Sequence, residues 1–316
     1  MTSVQSFMPA TPRSFMKRAI GATLLIAASI VGCTQLDAWQ REAIFSPVTE
    51  QQSWWRDPPE GTQEFDIALN NGDKIHAWYW QSPKPNAPTL LYLHGARWNL
   101  NGSAFRMESW TDREYSMLAI DYRGFGKSTP RLPSEETASE DAVAAFAELV
   151  RRQPDPRKRF IYGHSLGGAV AIDLASRKDL PEYAGLIVES SFTSIGGMLG
   201  TLKYGWVPGL NFLVTQPFDS LDKLATLTAP ILFIHGTADR VVPHEMSDAL
   251  YAAATKVTPN LRRLVKIDGA SHSSAVRSGN TYWSAVASFT RDAMAAYRDR
   301  KDDASPDDAR QARRAG

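Results

Sequence analysis

The chain has 316 residues, which is enough for one large α/β domain or two small ones. Its 35 basic and 34 acidic residues leave a formal net charge of +1, so no overall field attracts nucleic acid. The single cysteine, Cys33, excludes an internal disulfide and a cysteine-rich metal site. The sequence has no Cys-x-x-Cys, His-Glu-x-x-His or phosphate-loop pattern, so we expect chemistry without a metal or cofactor.

Residues 1–33 have the pattern of a targeting segment. Lys17 and Arg18 precede the apolar or small run 19–32, which is shorter than the roughly 20 residues that a membrane-spanning helix needs. The run ends in Ile-Val-Gly-Cys, which resembles a bacterial lipobox, in which the cysteine is acylated and the preceding peptide is removed. On this resemblance we predict that Cys33 carries a lipid anchor in the bacterial cell envelope.

The residue after the cysteine, Thr34, is not the aspartate associated with inner-membrane retention. By the same resemblance this favours the outer membrane, with the protein at its periplasmic face. The alternative is an uncleaved, tilted anchor in which the cysteine is incidental. Met16 stands immediately before the basic pair, so Met1 or Met16 is the true start.

Composition divides the remaining chain into three parts. Residues 34–62 are polar and contain prolines, which predicts a tether that leads into a domain at 63–298. Trp54 and Trp55 in the tether either rest at a membrane interface or pack against the domain. Residues 299–316 are charged and poor in apolar side chains, which predicts a disordered tail.

Apolar runs alternate with helical patterns through the domain, which predicts a mostly parallel eight-stranded sheet with helices on both faces. The Asn-Gly pair at 71–72 predicts an antiparallel hairpin at one edge of the sheet. Strands are expected at 64–69, 74–81, 89–93, 116–121, 159–163, 185–189, 230–234 and 261–267. Helices are expected at 102–112, 134–151, 165–177, 244–255 and 280–297.

The pentapeptide at 163–167 has the form Gly-x-Ser-x-Gly and lies between a predicted strand and a predicted helix. A serine at the tip of so tight a turn has strained backbone geometry, and the glycines on each side relieve crowding. Ser165 would also lie at a helix N-terminus, which favours negative charge. Because the pattern also arises by chance in glycine-rich turns, a nucleophilic serine requires a base and an acid elsewhere.

The best candidate for the base is His272, in the loop after the last predicted strand. In open α/β sheets, ligand-binding and catalytic residues commonly lie in loops at the carboxyl edge of the sheet. The other five histidines lie in the hairpin, at strand ends or at a helix start, or are expected to face away from the serine across the turn: His76, His94, His164, His235 and His244. A solvated loop histidine is the alternative for His272.

The acid that orients this histidine should follow a strand at the same edge, and Asp239 does so. The chain order Ser165, Asp239, His272 differs from the orders of the two common serine-protease folds. Two other acids remain open: Glu189, which ends the preceding strand, and Asp268, which suits a turn.

A developing oxyanion needs backbone donors that are fixed in advance. The N–H of Leu166, directly after the serine, is one candidate. The loop after the third strand should supply the other, and we nominate the N–H of Ala96. Its neighbour Arg97 either contacts substrate or is solvated.

Together these residues resemble the α/β-hydrolase superfamily. The resemblance rests on residues 94–95, 121–128, 163–168, 235–239 and 269–272. The chain is most similar to the serine-aminopeptidase-type and membrane-associated acyl-hydrolase branch, which includes monoacylglycerol lipases and protein depalmitoylases. This resemblance implies an enzyme that cleaves an ester, thioester or amide through an acyl-enzyme, but it does not fix the substrate. We expect a small-molecule carboxylic ester of the lipid type. A serine nucleophile argues against haloalkane dehalogenases, which use aspartate at that place.

In this superfamily a cap is often inserted where residues 190–229 lie. The dense apolar side chains of that stretch either form an acyl-binding wall or hold a short helical cap onto the domain. Three other functions remain open: a non-catalytic envelope lipoprotein that binds a ligand on this fold, a peptidase, and an acyltransferase with the same triad.

Overall fold

The computed structural model describes residues 31–201 and 207–303, and only the backbone of 298–303. Eight strands form one sheet in the spatial order β1-β2-β4-β3-β5-β6-β7-β8. Their bounds are Gln63–Ala68 (β1), Lys74–Trp80 (β2), Thr89–Leu93 (β3), Ser116–Ile120 (β4), Arg159–His164 (β5), Gly185–Glu189 (β6), Ile231–Gly236 (β7) and Arg262–Ile267 (β8). β2 pairs antiparallel with β1 and β4, and the remaining pairs are parallel. The predicted mostly parallel eight-stranded sheet with an edge hairpin is therefore confirmed.

Helices cover both faces of the sheet because the central strands are apolar on both sides. The helices are 31–45 (α1), Leu100–Thr111 (α2), Glu135–Arg152 (α3), Leu166–Ser176 (α4), Ile195–Gly200 (α5), Ser220–Leu224 (α6), Glu245–Ala253 (α7) and Asn280–Asp303 (α8). Ile161 of β5 packs on the face that α3 and α4 cover. Its neighbours Phe160 and Tyr162 pack on the opposite face, with α2 and α8. This alternation follows from the two-residue period of a strand.

Helix α3 shows how local sequence sets an element boundary. The hydroxyl of Ser134 accepts a hydrogen bond from the N–H of Thr137 over 3.1 Å, and the hydroxyl of Thr137 accepts one from the N–H of Ser134 over 2.8 Å. Glu135 and Glu136 in the first turn complement the positive end of the helix dipole. Because Ser134 is the cap, the helix begins at Glu135, one residue after the predicted start at 134.

The prediction of a tether at 34–62 is wrong for residues 34–45, which form most of α1. The amide of Gln40 donates to the carbonyl of Leu213 over 2.6 Å and accepts from the N–H of Thr215 over 2.9 Å. The ring of Phe45 is fully buried and lies 5.8 Å from the ring of Phe218. These partners are distant in sequence, so the polar composition of α1 conceals that it docks onto the domain.

The two ends of the chain differ in part from the expectations. Residues 299–303 continue α8, although a disordered tail was expected from 299, and the rest of that tail (304–316) lies outside the described residues. Most of the predicted targeting segment (1–30) also lies outside them. Within the described chain, no helix combines the length and apolar character that crossing a membrane requires. The ring of Trp54 lies 6.2 Å from that of Trp98, in agreement with packing against the domain.

Candidate active site

Ser165 occupies a turn that only glycine neighbours allow. β5 ends at His164 and α4 begins at Leu166, so Ser165 alone makes the turn, with φ 56° and ψ −122°. A Cβ on Gly163 would lie 2.2 Å from the carbonyl oxygen of Gly167. A Cβ on Gly167 would itself lie 2.0 Å from the carbonyl oxygen of a β3 residue. The two glycines therefore let the serine project at the carboxyl edge of the sheet.

The structure brings the three residues predicted for the triad together. The hydroxyl oxygen of Ser165 lies 3.0 Å from Nε2 of His272. Nδ1 of His272 lies 2.8 Å from Oδ2 of Asp239. A hydroxyl beside an imidazole whose other nitrogen meets a carboxylate is the arrangement that activates serine for nucleophilic attack.

The carboxylate of Asp239 is buried and fully hydrogen-bonded. Its Oδ1 accepts from the N–H groups of Val241 over 2.8 Å and Val242 over 3.0 Å. Its Oδ2 meets Nε2 of His235 at 3.0 Å in addition to His272. Burial alone would raise the pKa of Asp239, but hydrogen bonds from His235, His272 and Val242 outweigh it and hold that pKa well below its usual range. The side chain therefore stays ionised and can stabilise an imidazolium cation.

The other two acids considered from the sequence have different partners. Glu189 is fully buried and accepts from Nη1 of Arg106 over 2.7 Å, from the hydroxyl of Tyr162 over 2.7 Å and from the hydroxyl of Tyr282 over 2.8 Å. Asp268, directly after β8, accepts a hydrogen bond from the hydroxyl of Thr237 in the loop after β7, over 3.0 Å. Neither carboxylate meets the imidazole of His272.

Two histidines that the sequence analysis rejected as the base contact members of the predicted triad. His164 was expected to face away, but its Nε2 lies 2.9 Å from the carbonyl oxygen of His272. Burial, assisted by the positive charge of Arg106, lowers the pKa of His164 well below its ordinary value, so the ring is neutral and Nε2 carries the proton that the carbonyl accepts. His235 contacts Asp239. The only sequence signal for that contact is the spacing: His235 lies near the end of β7, four residues before Asp239.

The two predicted oxyanion donors lie beside the serine. Leu166 is the first residue of α4, and the loop holding Ala96 lies against Ser165, since a Cβ on Gly95 would be 3.1 Å from the Cβ of the serine. Within the described chain, no acceptor satisfies the backbone N–H of either residue. Free amides of this kind are suited to an oxyanion.

A cavity of about 740 Å³ opens over the serine. Its apolar walls come from α1, the loop after β3, the cap and the loop after β7: Ile44, Trp98, Phe192, Ile195, Met198, Val241 and Val242. Phe192, Ile195 and Met198 also pack against the domain core, so the described part of the cap serves both as a wall and as packing. Cap residues 202–206 lie outside the described chain.

Comparisons with known proteins agree with this fold. A sequence model of the family described as serine aminopeptidase, S33, matches residues 84–221, which include Ser165 but neither Asp239 nor His272. An alpha/beta hydrolase domain-containing protein of Arabidopsis thaliana, WAV2, is 29% identical over 80% of this chain and 88% of its own. The chain belongs to the α/β-hydrolase superfamily.

Two further members of the superfamily are similar to this hydrolase. The Danio rerio protein named lysophosphatidylserine lipase ABHD12 is 30% identical over 57% of this chain and 50% of its own length. The structure of the Pyrococcus furiosus esterase Pf2001 superposes with a TM-score of 0.60, at 20% identity, over 78% of this chain and 98% of that one.

No group of three or more histidine, cysteine or acidic side chains within the described residues is arranged to hold a metal ion.

Proposed function

We propose that this α/β-hydrolase is a serine hydrolase that cleaves a carboxylic ester of a lipid-type acyl substrate through an acyl-enzyme. One observation carries the proposal: Nε2 of His272 lies 3.0 Å from the hydroxyl oxygen of Ser165 while its Nδ1 lies 2.8 Å from Asp239. Distances of this size allow direct proton transfer from the serine to the histidine.

Acylation begins when the hydroxyl oxygen of Ser165 bonds to the ester carbonyl carbon and its proton passes to Nε2 of His272. The N–H groups of Leu166 and Ala96 stabilise the negative tetrahedral oxygen. Asp239 stabilises the imidazolium, because its own pKa is held low. The bond to the leaving-group oxygen then breaks, and Nε2 returns the proton to that oxygen.

Deacylation repeats these steps with water. A water molecule gives one proton to Nε2 of His272 as its oxygen bonds to the acyl carbon of the acyl-serine. Collapse of this second tetrahedral intermediate releases the carboxylic acid. The proton on Nε2 returns to the oxygen of Ser165, which restores the free enzyme.

The chemistry of the cavity favours an acyl ester over an aminopeptidase substrate. An aminopeptidase binds a protonated amine, which a carboxylate would pair with. The described residues that line the cavity include no aspartate or glutamate, but they include two arginines and a mostly apolar wall. The names of the relatives, a lipase and an esterase, support the same preference.

A peptidase is the second candidate, because the matching family is described as serine aminopeptidase. A chain-length series of p-nitrophenyl esters, run beside aminoacyl p-nitroanilides and an acyl thioester, separates the two. Ester turnover that rises with acyl length is expected. Turnover confined to the aminoacyl amides would overturn the ester proposal.

The role of the serine is tested separately with a fluorophosphonate probe, which reacts rapidly only with an activated serine. The wild type should label at Ser165, and Ser165→Ala should neither label nor turn over ester, with a loss of several orders of magnitude in rate. Ser176→Ala is a matched control, because its hydroxyl bonds only within α4. Rapid labelling that persists in Ser165→Ala would contradict the proposed nucleophile.

We also propose that Cys33 carries a lipid anchor that holds the enzyme at the periplasmic face of the outer membrane. Cys33 is exposed in α1, and roughly 16 Å of helix separates it from Ile44 in the cavity wall. Trp39 in α1 is exposed, as are Phe212 (94%) and Leu213 in the cap, an apolar surface suited to a bilayer interface. A Cys33→Ala variant should accumulate as an unprocessed, unacylated precursor. Normal processing of that variant would contradict the anchor.

A further inference from the structure

Two arginines beside the candidate active site have no partner among the residues that the structure describes. Arg97 and Arg240 both line the cavity over Ser165. Neither side chain makes a hydrogen bond, ion pair or ring contact within the described chain. Every other arginine with a described side chain has such a partner: Arg41, Arg56, Arg106, Arg113, Arg123, Arg131, Arg151, Arg152, Arg157, Arg159, Arg177, Arg262, Arg263, Arg277 and Arg291.

The topology places the two arginines on either side of the serine. Arg97 follows β3 and Arg240 follows β7, while Ser165 follows β5, which lies between those strands in the sheet. The position of Arg97 is fixed, because its backbone N–H donates to the carbonyl of Phe45 over 2.8 Å and its φ is 70°. Both arginine side chains are exposed and border the cavity at the carboxyl edge of the sheet, and the contact with Phe45 holds the backbone of Arg97 in place.

Within the described part of the chain, no carboxylate near the cavity pairs with these cations. The described residues that line it include no acidic side chain. Asp239, the chain neighbour of Arg240, already accepts hydrogen bonds at both oxygens from two valine N–H groups and two histidines. Because both guanidinium groups are exposed and unpaired within the described chain, a ligand in the cavity can reach them. A guanidinium presents a planar fork that matches phosphate and carboxylate oxygens.

We propose that Arg97 and Arg240 form a subsite for an anionic head group, so that the substrate is a single-chain acyl ester with a phosphate or carboxylate on its alcohol portion. The acyl chain lies along the apolar wall and the anion meets the two cations. This inference rests on the proposed ester hydrolysis, whose leaving group is that alcohol.

The test compares four substrates with the same acyl chain, each below its micellar concentration. Monoacylglycerol is uncharged, lysophosphatidylcholine is zwitterionic, lysophosphatidylglycerol carries a phosphate anion, and the acyl ester of lactate carries a carboxylate. The variants are Arg97→Gln, Arg240→Gln and the control Lys256→Gln. Lys256 precedes β8, at the edge of the sheet opposite to Ser165, so its replacement removes the same charge far from the cavity.

The wild type should prefer at least one anionic ester over monoacylglycerol by about tenfold or more in kcat/KM. Each arginine variant should lose about five- to tenfold on that anionic ester, chiefly through KM, and stay within about twofold on monoacylglycerol. The better of the two anionic esters identifies the anion as phosphate or carboxylate. Equal losses on charged and uncharged esters, or no loss beyond that of Lys256→Gln, would overturn the subsite.

A binding measurement separates failure of the subsite from failure of ester hydrolysis. Lysophosphatidylglycerol and acyl lactate are titrated into Ser165→Ala, with and without the Arg97→Gln and Arg240→Gln changes. If an anionic ligand binds more tightly to Ser165→Ala than to the same protein lacking either arginine, the subsite is supported even when the wild type hydrolyses no ester. If neither arginine change alters the binding of either ligand, the subsite is overturned even when ester hydrolysis is established.

Discussion

Nε2 of His164 donates a hydrogen bond to the backbone carbonyl of His272 over 2.9 Å. The residue before the nucleophile therefore holds the loop that carries the proposed base. The two rings are 5.0 Å apart, so the neutral state of His164 also avoids a second cation beside an imidazolium. His164 acts on the chemistry through His272 and is a positioning residue.

Replacing His164 with alanine should lower kcat about tenfold with little change in KM, because the loop of His272 loses its anchor. His164→Gln should recover most of the rate, since its amide is also a donor. The measurement is kcat and KM on a p-nitrophenyl ester, with urea unfolding to separate stability from rate. If the glutamine variant is as slow as the alanine variant, the shape of the ring matters and not the hydrogen bond.

The sequence predicted the sheet, and it placed Ser165, Asp239 and His272 at its carboxyl edge because each of the three follows a strand that a local signal identifies. A buried strand is a continuous apolar run, and Gly-x-Ser-x-Gly is a five-residue pattern. The contacts it did not predict join distant residues: His164 and His272 are 108 positions apart, and Gln40 and Leu213 are 173 apart. No periodicity marks such a pair. Polar residues in α1 therefore indicated a tether where the fold makes buried hydrogen bonds.

The backbone of Ser165 is expected to store strain, because φ is 56° at a residue with a Cβ. Ser165→Gly should raise the free energy of unfolding by about 1 kcal/mol, since glycine adopts positive φ without a penalty. Ser165→Ala is the matched control, because it loses the same hydroxyl but keeps the Cβ. Urea unfolding of both inactive variants is the measurement. Equal stabilities would show that the turn is unstrained.

Gly167 should not tolerate a methyl group. A Cβ there would lie 2.0 Å from the carbonyl oxygen of Leu93 in β3, so Gly167→Ala must displace α4 or the central strand. We expect a loss of about 3 kcal/mol or more in the free energy of unfolding. Gly200→Ala serves as control, because no atom of the described residues lies within 4 Å of a Cβ added to that helical glycine. It should be neutral or slightly stabilising. Similar losses in both variants would contradict this packing argument.

Arg106 and Glu189 form a buried ion pair below the loop of His272, with Nη1 and Oε1 2.7 Å apart. Burial alone would lower the pKa of Arg106, but the carboxylate of Glu189 raises it above its ordinary value, so the guanidinium stays charged. Glu189→Gln leaves that charge without its counter-ion and should cost about 3–5 kcal/mol of unfolding free energy. The double variant Arg106→Met, Glu189→Gln should be more stable than Glu189→Gln alone. A double variant less stable than either single variant would contradict this account.

Asp121 and His94 form a second buried pair, behind the loop that holds Ala96. Nδ1 of His94 donates to the carbonyl of Gly95 over 2.6 Å, so its Nε2 is unprotonated and lies 3.5 Å from Oδ1 of Asp121. Burial lowers the pKa of His94 to about 4 and raises that of Asp121 to about 7, although the N–H of Leu100 and the charge of a nearby lysine oppose the second shift. A protonated Asp121 places no negative charge beside the neutral ring of His94, whose Nε2 has no hydrogen-bond partner among the described residues.

This raised pKa predicts a pH dependence of stability. Between about pH 4, where an unfolded aspartate ionises, and pH 7, the folded protein binds the extra proton, so the contribution of Asp121 to the unfolding free energy should fall as pH rises. The slope is at most about 1.4 kcal/mol per pH unit. Asp121→Asn keeps the size and a donor but cannot titrate. Carboxyl groups with lowered pKa, such as Asp239, act in the opposite direction in both proteins and cancel in the difference. Urea unfolding from pH 4.5 to 7.5 should therefore give a wild-type free energy that declines relative to Asp121→Asn, and parallel curves would show that Asp121 is ionised throughout.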